Sequence, residues 1–227
     1  MNTRLKVFAE QSLVVLNIFI VFLLLFENKL ILPYWLQPAG RMHPLLLHFP
    51  IVLLILGIMS DIYRFKKEKI SAPFYTKLSG LLLLSGAILS GITVIMGLFL
   101  SREEGYDGEA VSWHKWLGAA VFFIASIIYW IRDKNWYSRS LSWSSALLLM
   151  PFLLATGHYG ADITHGDNFL LQPITAHFQR PAVSLEEAVV FDDLIRPVLE
   201  AKCTGCHNPR KLKGELSLID SLSIVKG

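Results

Sequence analysis

Long runs of apolar residues, separated by short polar segments, dominate the first three quarters of the chain. Five runs come close to the ~20 residues that an α-helix needs to cross a bilayer. They are Phe8–Phe26, His43–Tyr63, Leu78–Leu100, Trp113–Ile131 and Leu141–Ile163. The pattern predicts an all-α fold in which residues 1–165 form a five-helix transmembrane bundle. The first span is the weakest, because Glu10, Gln11 and Asn17 lie near or within it.

The pattern changes after residue 165. Residues 166–183 contain two prolines and no clear period, which indicates a linker. A Ser-x-x-Glu capping box begins at Ser184 and predicts a short helix, and a second short helix is expected near Leu194–Lys202. Residues 184–227 are therefore interpreted as the start of a separate helical domain.

Composition and charge support a membrane protein and predict its orientation. Hydrophobic residues make up 53% of the chain and charged residues only 17%, and no basic tract indicates nucleic-acid binding. Lysine and arginine crowd loops two and four, at residues 64–77 and 132–139, whereas loop three, at residues 103–109, is acidic. Because cytoplasmic loops carry the excess of basic residues, we expect a cytoplasmic N-terminus. The C-terminal part then lies in the periplasm, outside a bacterial inner membrane.

The clearest chemical motif is the run Cys203-Thr204-Gly205-Cys206-His207, which contains the two cysteines of the chain. Cys-x-x-Cys-His is the attachment signature of a c-type haem. Two thiols one helical turn apart can bond both vinyl groups of one porphyrin, and the adjacent imidazole can ligate its iron. The alternatives are a thioredoxin-like redox pair, half of a zinc site and a chance disulfide. A thioredoxin-like pair would lie near a βαβ pattern, and a zinc site would need a second Cys/His pair; the sequence has neither. We therefore expect covalent haem c.

A second set of candidate ligands lies in the predicted spans. Histidine is rare and costly inside a membrane, so intramembrane histidines are functional candidates. In the expected topology five lie toward the outer face: His48, His114 and His158 as a deeper layer, and His43 and His165 at the rim. On one straight helix, His43 and His48 would be about 140° apart around the axis and about 7.5 Å apart in depth. They would therefore not share a metal.

The occupant of this histidine layer has several candidates. Two of the deeper three histidines can ligate a haem b across the bundle, and all three can hold a copper, iron or zinc ion. Alternatively, the histidines are interfacial, bonded to loop carbonyls with their rings reaching water. We favour a bound cofactor, and haem b among the candidates, because the Cys-x-x-Cys-His motif already predicts a redox centre.

Two parts of the chain resemble known families. Val190–Gly214, which reads VFDDLIRPVLEAKCTGCHNPRKLKG, resembles the start of the planctomycete-type cytochrome c domain. That resemblance implies thioethers at both cysteines and iron ligation by the adjacent histidine. HPLLLHFP at 43–50 and GHYGADITHG at 157–166 resemble a family of predicted bacterial membrane proteins of unknown function, often fused to such cytochrome domains. The first span lies outside that four-helix pattern.

The chain departs from the cytochrome pattern after the motif, because it ends 20 residues beyond His207. Members of the family continue through a Met-Pro loop, whose methionine can be the sixth iron ligand, and a closing helix. No methionine follows Met150. We expect the sequence to be a fragment of a longer protein. Otherwise the sixth ligand is a histidine such as His165 or His177, a partner's residue or water.

These features together favour a membrane-anchored c-type cytochrome that exchanges electrons with other redox proteins or a membrane complex at the periplasmic face. One alternative is an enzyme, a quinol-oxidising membrane subunit that delivers electrons to haem c. Another is a non-catalytic anchor or assembly subunit whose histidines are structural or bind zinc. No catalytic residue is assigned, and membrane lipid is an expected partner in each case.

Overall fold

The protein forms two compact units in its computed structural model. The first comprises Met1–Glu103 and His114–Thr156, and the second Glu104–Trp113 and Gly157–Gly227. The structure describes residues 3–65, 72–103, 105–106, 108–166, 168–171, 173–175, 188–204, 207–208 and 211–226. The helix predicted to begin at Ser184, and the basic residues at positions 66, 67 and 69, lie outside the described residues.

The membrane part is helical, as the hydropathy pattern predicts. Its helices are α1 (Thr3–Leu25), α2 (Gln37–Arg41), α3 (His43–Leu46), α4 (His48–Tyr63), α5 (Ala72–Leu100), α6 (Glu109–Ile131) and α7 (Arg139–His165). Four of them, α1, α5, α6 and α7, are each long and apolar enough to cross a membrane. Tyr34–Leu46 and His48–Tyr63 together form a fifth, bent candidate span. The predicted all-α membrane bundle is confirmed.

The bend between α3 and α4 amounts to 43° and falls at Leu47. Pro50 lies three residues further along and has no N–H, and a proline ring collides with the carbonyl four residues before it. That carbonyl belongs to Leu46, the last residue of α3, so the break falls where the proline interferes. Pro151 has the same chemistry, yet α7 continues through it as one helix.

The core of the first unit lies between all five spans. Its buried apolar residues are Leu13, Ile20, Leu54, Ile58, Leu83, Leu84, Ala87, Val121, Phe122, Ala125, Ile128, Tyr129, Ala146 and Leu149. Glycine permits close contact at several crossings. A Cβ at Gly91 on α5 would lie 2.8 Å from the Phe122 ring on α6, and one at Gly86 would lie 2.9 Å from Leu54 on α4. These glycines of α5 therefore serve close packing within the bundle.

Two polar residues of α1, Glu10 and Asn17, face α6, which explains how this span tolerates them. Glu10 accepts a hydrogen bond from the Tyr129 hydroxyl at 2.7 Å. The Asn17 side-chain amide donates to Ser126 Oγ at 3.2 Å. Large apolar side chains such as Ile18 remain exposed on the same helix, as a lipid-facing surface requires.

A buried ionic cluster, the Asp61 cluster, joins α4, α5, α6 and α7 at the ends next to loops two and four. The Asp61 side chain is fully buried, and its Oδ2 accepts hydrogen bonds from Ser142 Oγ at 2.7 Å and the Tyr137 hydroxyl at 2.8 Å. Its Oδ1 lies 3.0 Å from Arg64 Nε and 3.5 Å from Arg132 Nε. One carboxylate therefore neutralises part of the charge of two buried guanidinium groups.

The other groups of the cluster add further hydrogen bonds and ion pairs, whereas Asp61 Oδ1 and the Nε atoms of both arginines interact only as ion pairs among the described residues. Arg132 donates to the Thr76 carbonyl and to Ser79 Oγ, both at 2.7 Å, in the first turns of α5. Half-exposed Asp133 lies within ion-pair distance of both arginines. Burial raises the pKa of Tyr137 to about 12, so its hydroxyl keeps the proton that it donates to Asp61.

The second unit contains the C-terminal elements. A π-helical turn (Val190–Ile195) leads into α8 (Arg196–Lys202), and the two-residue strands β1 (His207–Asn208) and β2 (Lys211–Leu212) form an antiparallel pair. A 3-10 turn (Lys213–Glu215) and α9 (Ser221–Lys226) follow. The helix expected near Leu194–Lys202 is present, with its first turn at Arg196 and Pro197.

Candidate functional site

The Cys-x-x-Cys-His motif begins where α8 ends. The Cys203 amide donates to the Leu199 carbonyl at 2.7 Å, and the His207 amide donates to the Cys203 carbonyl at 3.1 Å. The second hydrogen bond keeps the backbones of Cys203 and His207 close in space. The Cys203 thiol is free and half-buried. Cys206 lies outside the described residues, so its predicted role stays a prediction.

His207 is partly buried, as expected for a residue that ligates a haem iron. It begins β1, pairs with Leu212 and accepts a hydrogen bond from the Leu218 amide at 2.9 Å. Its Nδ1 is buried without a hydrogen-bond partner among the described residues. A buried, unsatisfied ring nitrogen is costly. The Cys203 thiol and the His207 imidazole are two of the three groups that covalent haem c requires, and the third, the Cys206 thiol, lies outside the described residues. The described residues therefore fit that group.

In the membrane part, the structure brings His43 and His114 together. Their ring centroids are 5.9 Å apart and their planes meet at 85°. His43 opens α3 and His114 lies in the second turn of α6. Both side chains are half-buried in the first unit. We call these two side chains the histidine pair.

Each imidazole of the histidine pair is held by a main-chain carbonyl. His43 Nδ1 lies 2.9 Å from the Thr93 oxygen on α5, and His114 Nδ1 lies 2.8 Å from the Thr156 oxygen on α7. A carbonyl oxygen can only accept, so each Nδ1 must carry the proton. In a neutral ring this leaves Nε2 as a lone-pair nitrogen. Neither Nε2 has a protein partner in the part of the chain that the structure describes.

Gly97 allows the His43 ring to reach α5. A Cβ added at Gly97 would lie 3.1 Å from both Cε1 and Nδ1 of His43, which is tighter than an ordinary contact. The ring therefore lies directly against the helix backbone. A larger residue at this position would require the imidazole to shift by a few tenths of an ångström.

The structure buries His43 more than His48. His43, expected at the rim, is half-buried in the histidine pair, whereas His48, expected in the deeper layer, is the first residue of α4 and is exposed. The expected separation assumed one straight helix through both residues, and the bend at Leu47 places them on two helices. Their depths in the membrane stay a prediction.

The remaining candidate histidines lie in the second unit. His158 Nε2 is 3.6 Å from Asp162 Oδ2 one turn further along α7, and its ring lies beside that of Tyr159. His165 is exposed and stacks on Phe169, with ring centroids 4.2 Å apart. Among the described residues, no group of three or more His, Cys, Asp or Glu side chains is arranged to hold a metal ion. Ligation by His48, His114 and His158 stays a prediction.

The sequence interpretation missed Asp61 and the carbonyls that hold the histidine pair. Asp61 could have been found, because it is an acidic residue inside a predicted span, and such residues have partners. The carbonyls of Thr93 and Thr156 had no signal, because every residue carries one.

These features define a polytopic α-helical membrane protein, with an interhelical histidine pair and a C-terminal segment that carries a Cys-x-x-Cys-His motif. Residues 40–169 match the family described as "Predicted membrane protein (DUF2231)", and the chain belongs to that family. The match begins after α1 and covers both HPLLLHFP and GHYGADITHG, so the resemblance of the membrane part is confirmed. No curated protein and no solved structure matches the chain. The cytochrome resemblance of the C-terminal part stays a prediction.

Proposed function

We propose that the protein is a membrane-anchored c-type cytochrome that transfers electrons at the periplasmic face of a bacterial inner membrane. The observation that carries the proposal is the Cys203-to-His207 motif, with a free thiol and a buried, unsatisfied imidazole nitrogen in one turn of chain. Cys203 and Cys206 form the thioethers, and His207 ligates the iron. The haem supplies the one-electron chemistry, and the chain supplies ligation, position and a local dielectric.

Apolar surface near the motif supports the same proposal. Ile195 and Val198, on the turn and helix that precede Cys203, expose about half of their surface, as do several other apolar residues of the C-terminal segment. Exposed apolar surface of this kind marks an interaction site. A haem edge is an apolar group of suitable size, and it would lie directly beside the residues that bind it.

Covalent attachment is tested by producing the full chain in cells with a cytochrome c maturation system. Haem should remain on the chain after denaturation and acid–acetone extraction. Replacement of Cys203 and Cys206 by Ala should release it. Thr204→Ala, which changes a spacer position of the motif, is the matched control and should keep the haem. A parent protein without covalent haem, or a double variant that retains it, would overturn the proposal.

The proposal includes a second redox centre in the bundle, a haem b or a metal ion. One observation favours the non-catalytic anchor instead: both histidines of the pair already bond to main-chain carbonyls, as structural polar links between helices do. Reduced-minus-oxidised spectra and metal analysis separate the two functions. A c-type band alone, without metal, favours the anchor, whereas b-type absorption or a bound metal favours a relay. Reduction by a quinol analogue would identify the enzyme alternative.

A further inference from the structure

The separation of the two rings in the histidine pair is within the range that a two-nitrogen coordination site allows. Metal–nitrogen bonds are about 2.0–2.1 Å long, so two imidazoles on one ion have ring centroids no more than roughly 6 Å apart. His43 and His114 meet this limit at 5.9 Å. Their 85° interplanar angle is compatible with shared ligation, because coordination constrains the metal–nitrogen direction and leaves rotation of each ring about it free.

The hydrogen bonds of the pair determine which ring nitrogens have a lone pair available for a metal. Metal-bound histidines generally donate their second ring N–H to a carbonyl or carboxylate, which fixes the tautomer and the ring orientation. Here the carbonyls of Thr93 and Thr156 accept from Nδ1 of the two rings. Both Nε2 atoms are therefore available as ligands, and they belong to rings anchored on different helices.

The charges around the pair do not oppose a cation. Arg41 forms a bidentate contact with Glu103 at 2.9–3.1 Å, and Lys115, next to His114, contacts both carboxylate oxygens of Glu27 at 2.8 Å. Each nearby basic side chain therefore has its own carboxylate. A metal ion at the pair meets no unbalanced positive charge from these residues.

The surroundings favour a metal ion over haem b. Cε1 of His43, which adjoins Nε2 in the ring, lies against the α5 backbone at Gly97. The helix therefore occupies the flank into which a porphyrin on Nε2 would extend, whereas a single ion needs no such lateral room. Imidazole suits copper, zinc, iron and nickel, and copper(II) binds a given nitrogen site most tightly of the first-row divalent ions. Zinc suits the pair less well than copper, because structural zinc usually takes four protein ligands and catalytic zinc three, whereas the pair supplies two.

We propose that His43 and His114 bind one copper ion through their Nε2 atoms, with Thr93 and Thr156 carbonyls orienting the rings. This proposal names the ligands and the metal of the second redox centre in the proposed function. It rests on that function only for the redox role of the metal. Copper can cycle between its two oxidation states, as a one-electron relay requires.

The test uses the full chain in detergent, purified with a tag free of histidine, stripped with a chelator and titrated with copper. The parent should bind one copper per chain, with imidazole nitrogen couplings in the copper(II) EPR spectrum. His43→Gln and His114→Gln should each weaken binding by roughly tenfold or more. A glutamine keeps a polar side chain with an N–H donor and removes the imidazole ligand. Exposed His48 provides the matched control, and His48→Gln should bind copper like the parent.

Parent-like copper binding in both His43→Gln and His114→Gln would overturn the inference, and so would an equal loss in His48→Gln. A parent that binds no copper, or that carries haem b released by the His43 and His114 variants, would overturn it as well. Haem c is quantified in the same samples by pyridine haemochrome. Haem c without copper would refute this inference alone, and copper without haem c would refute the proposed function alone.

Discussion

The Asp61 cluster allows a quantitative prediction, because one buried carboxylate faces two buried guanidinium groups. Asp61→Asn keeps the side-chain shape and an oxygen that can accept from Ser142 and Tyr137. It removes the negative charge that lies 3.0 Å from Arg64 Nε and 3.5 Å from Arg132 Nε. Breaking a buried ion pair by removing one partner costs about 3–5 kcal/mol, because an uncompensated charge remains buried. We expect Asp61→Asn to lower the free energy of unfolding of the bundle by about that amount.

Asp133→Asn is the matched control, since Asp133 contacts the same two arginines but its side chain is 56% exposed. Exposed ion pairs contribute about 0–1 kcal/mol, so this variant should stay close to the parent. Unfolding in mixed micelles with increasing SDS, followed by circular dichroism, measures both variants against the parent. The reasoning fails if Asp61→Asn lies within 1 kcal/mol of the parent, or if the two variants are equally destabilised.

A reporter active only in the periplasm should work when fused after Gly166 and fail when fused after Lys69, because the basic loops are expected in the cytoplasm; the reverse pattern would refute both the orientation and periplasmic haem c. The Tyr137 hydroxyl should make stability depend on alkaline pH. Burial raises its pKa from 10.0 to about 12, so the unfolded chain loses this proton first and stability falls between about pH 10 and 12. Tyr137→Phe should reduce the fall of the unfolding midpoint with pH over that range. A midpoint that still falls as steeply as the parent's would contradict the role of the Tyr137 hydroxyl.

Hydropathy predicted the membrane spans well, because the backbone N–H and C=O groups of an apolar run in a membrane must form their hydrogen bonds within one helix. The third predicted span, Leu78–Leu100, ends at the same residue as α5 and begins six residues later than Ala72. The difference lies in the first turns of α5, where Thr76 and Ser79 are polar. Their partner is Arg132 of the Asp61 cluster, and no local pattern reveals a contact across 53 residues or more of chain.

The candidate site was predicted in part. Spacing alone identified the Cys203 motif, because its chemistry depends on residues within one turn. Spacing did not reveal that His43 is more buried than His48, because the bend at Leu47 is a three-dimensional property of the chain around Pro50. Proximity of His43 and His114 depends on how α3 and α6 pack against α5 and α7. That packing is a tertiary property, so the five histidines could be named from the sequence but not paired.

The way the histidine pair is anchored affects how a mutational scan of this protein would look. Both rings are oriented by oxygen atoms of the peptide backbone, and no codon change at position 93 or 156 can delete those atoms. Small substitutions there, such as Thr93→Ser, should pass unnoticed in a functional screen, although these positions determine which nitrogen of each ring is basic. Position 97 has the opposite character, because a Cβ there would require the His43 ring to shift by a few tenths of an ångström. A mutational scan should therefore respond to side-chain changes at Gly97 and at the two histidines, but not to small side-chain changes at the two residues whose carbonyls accept the hydrogen bonds.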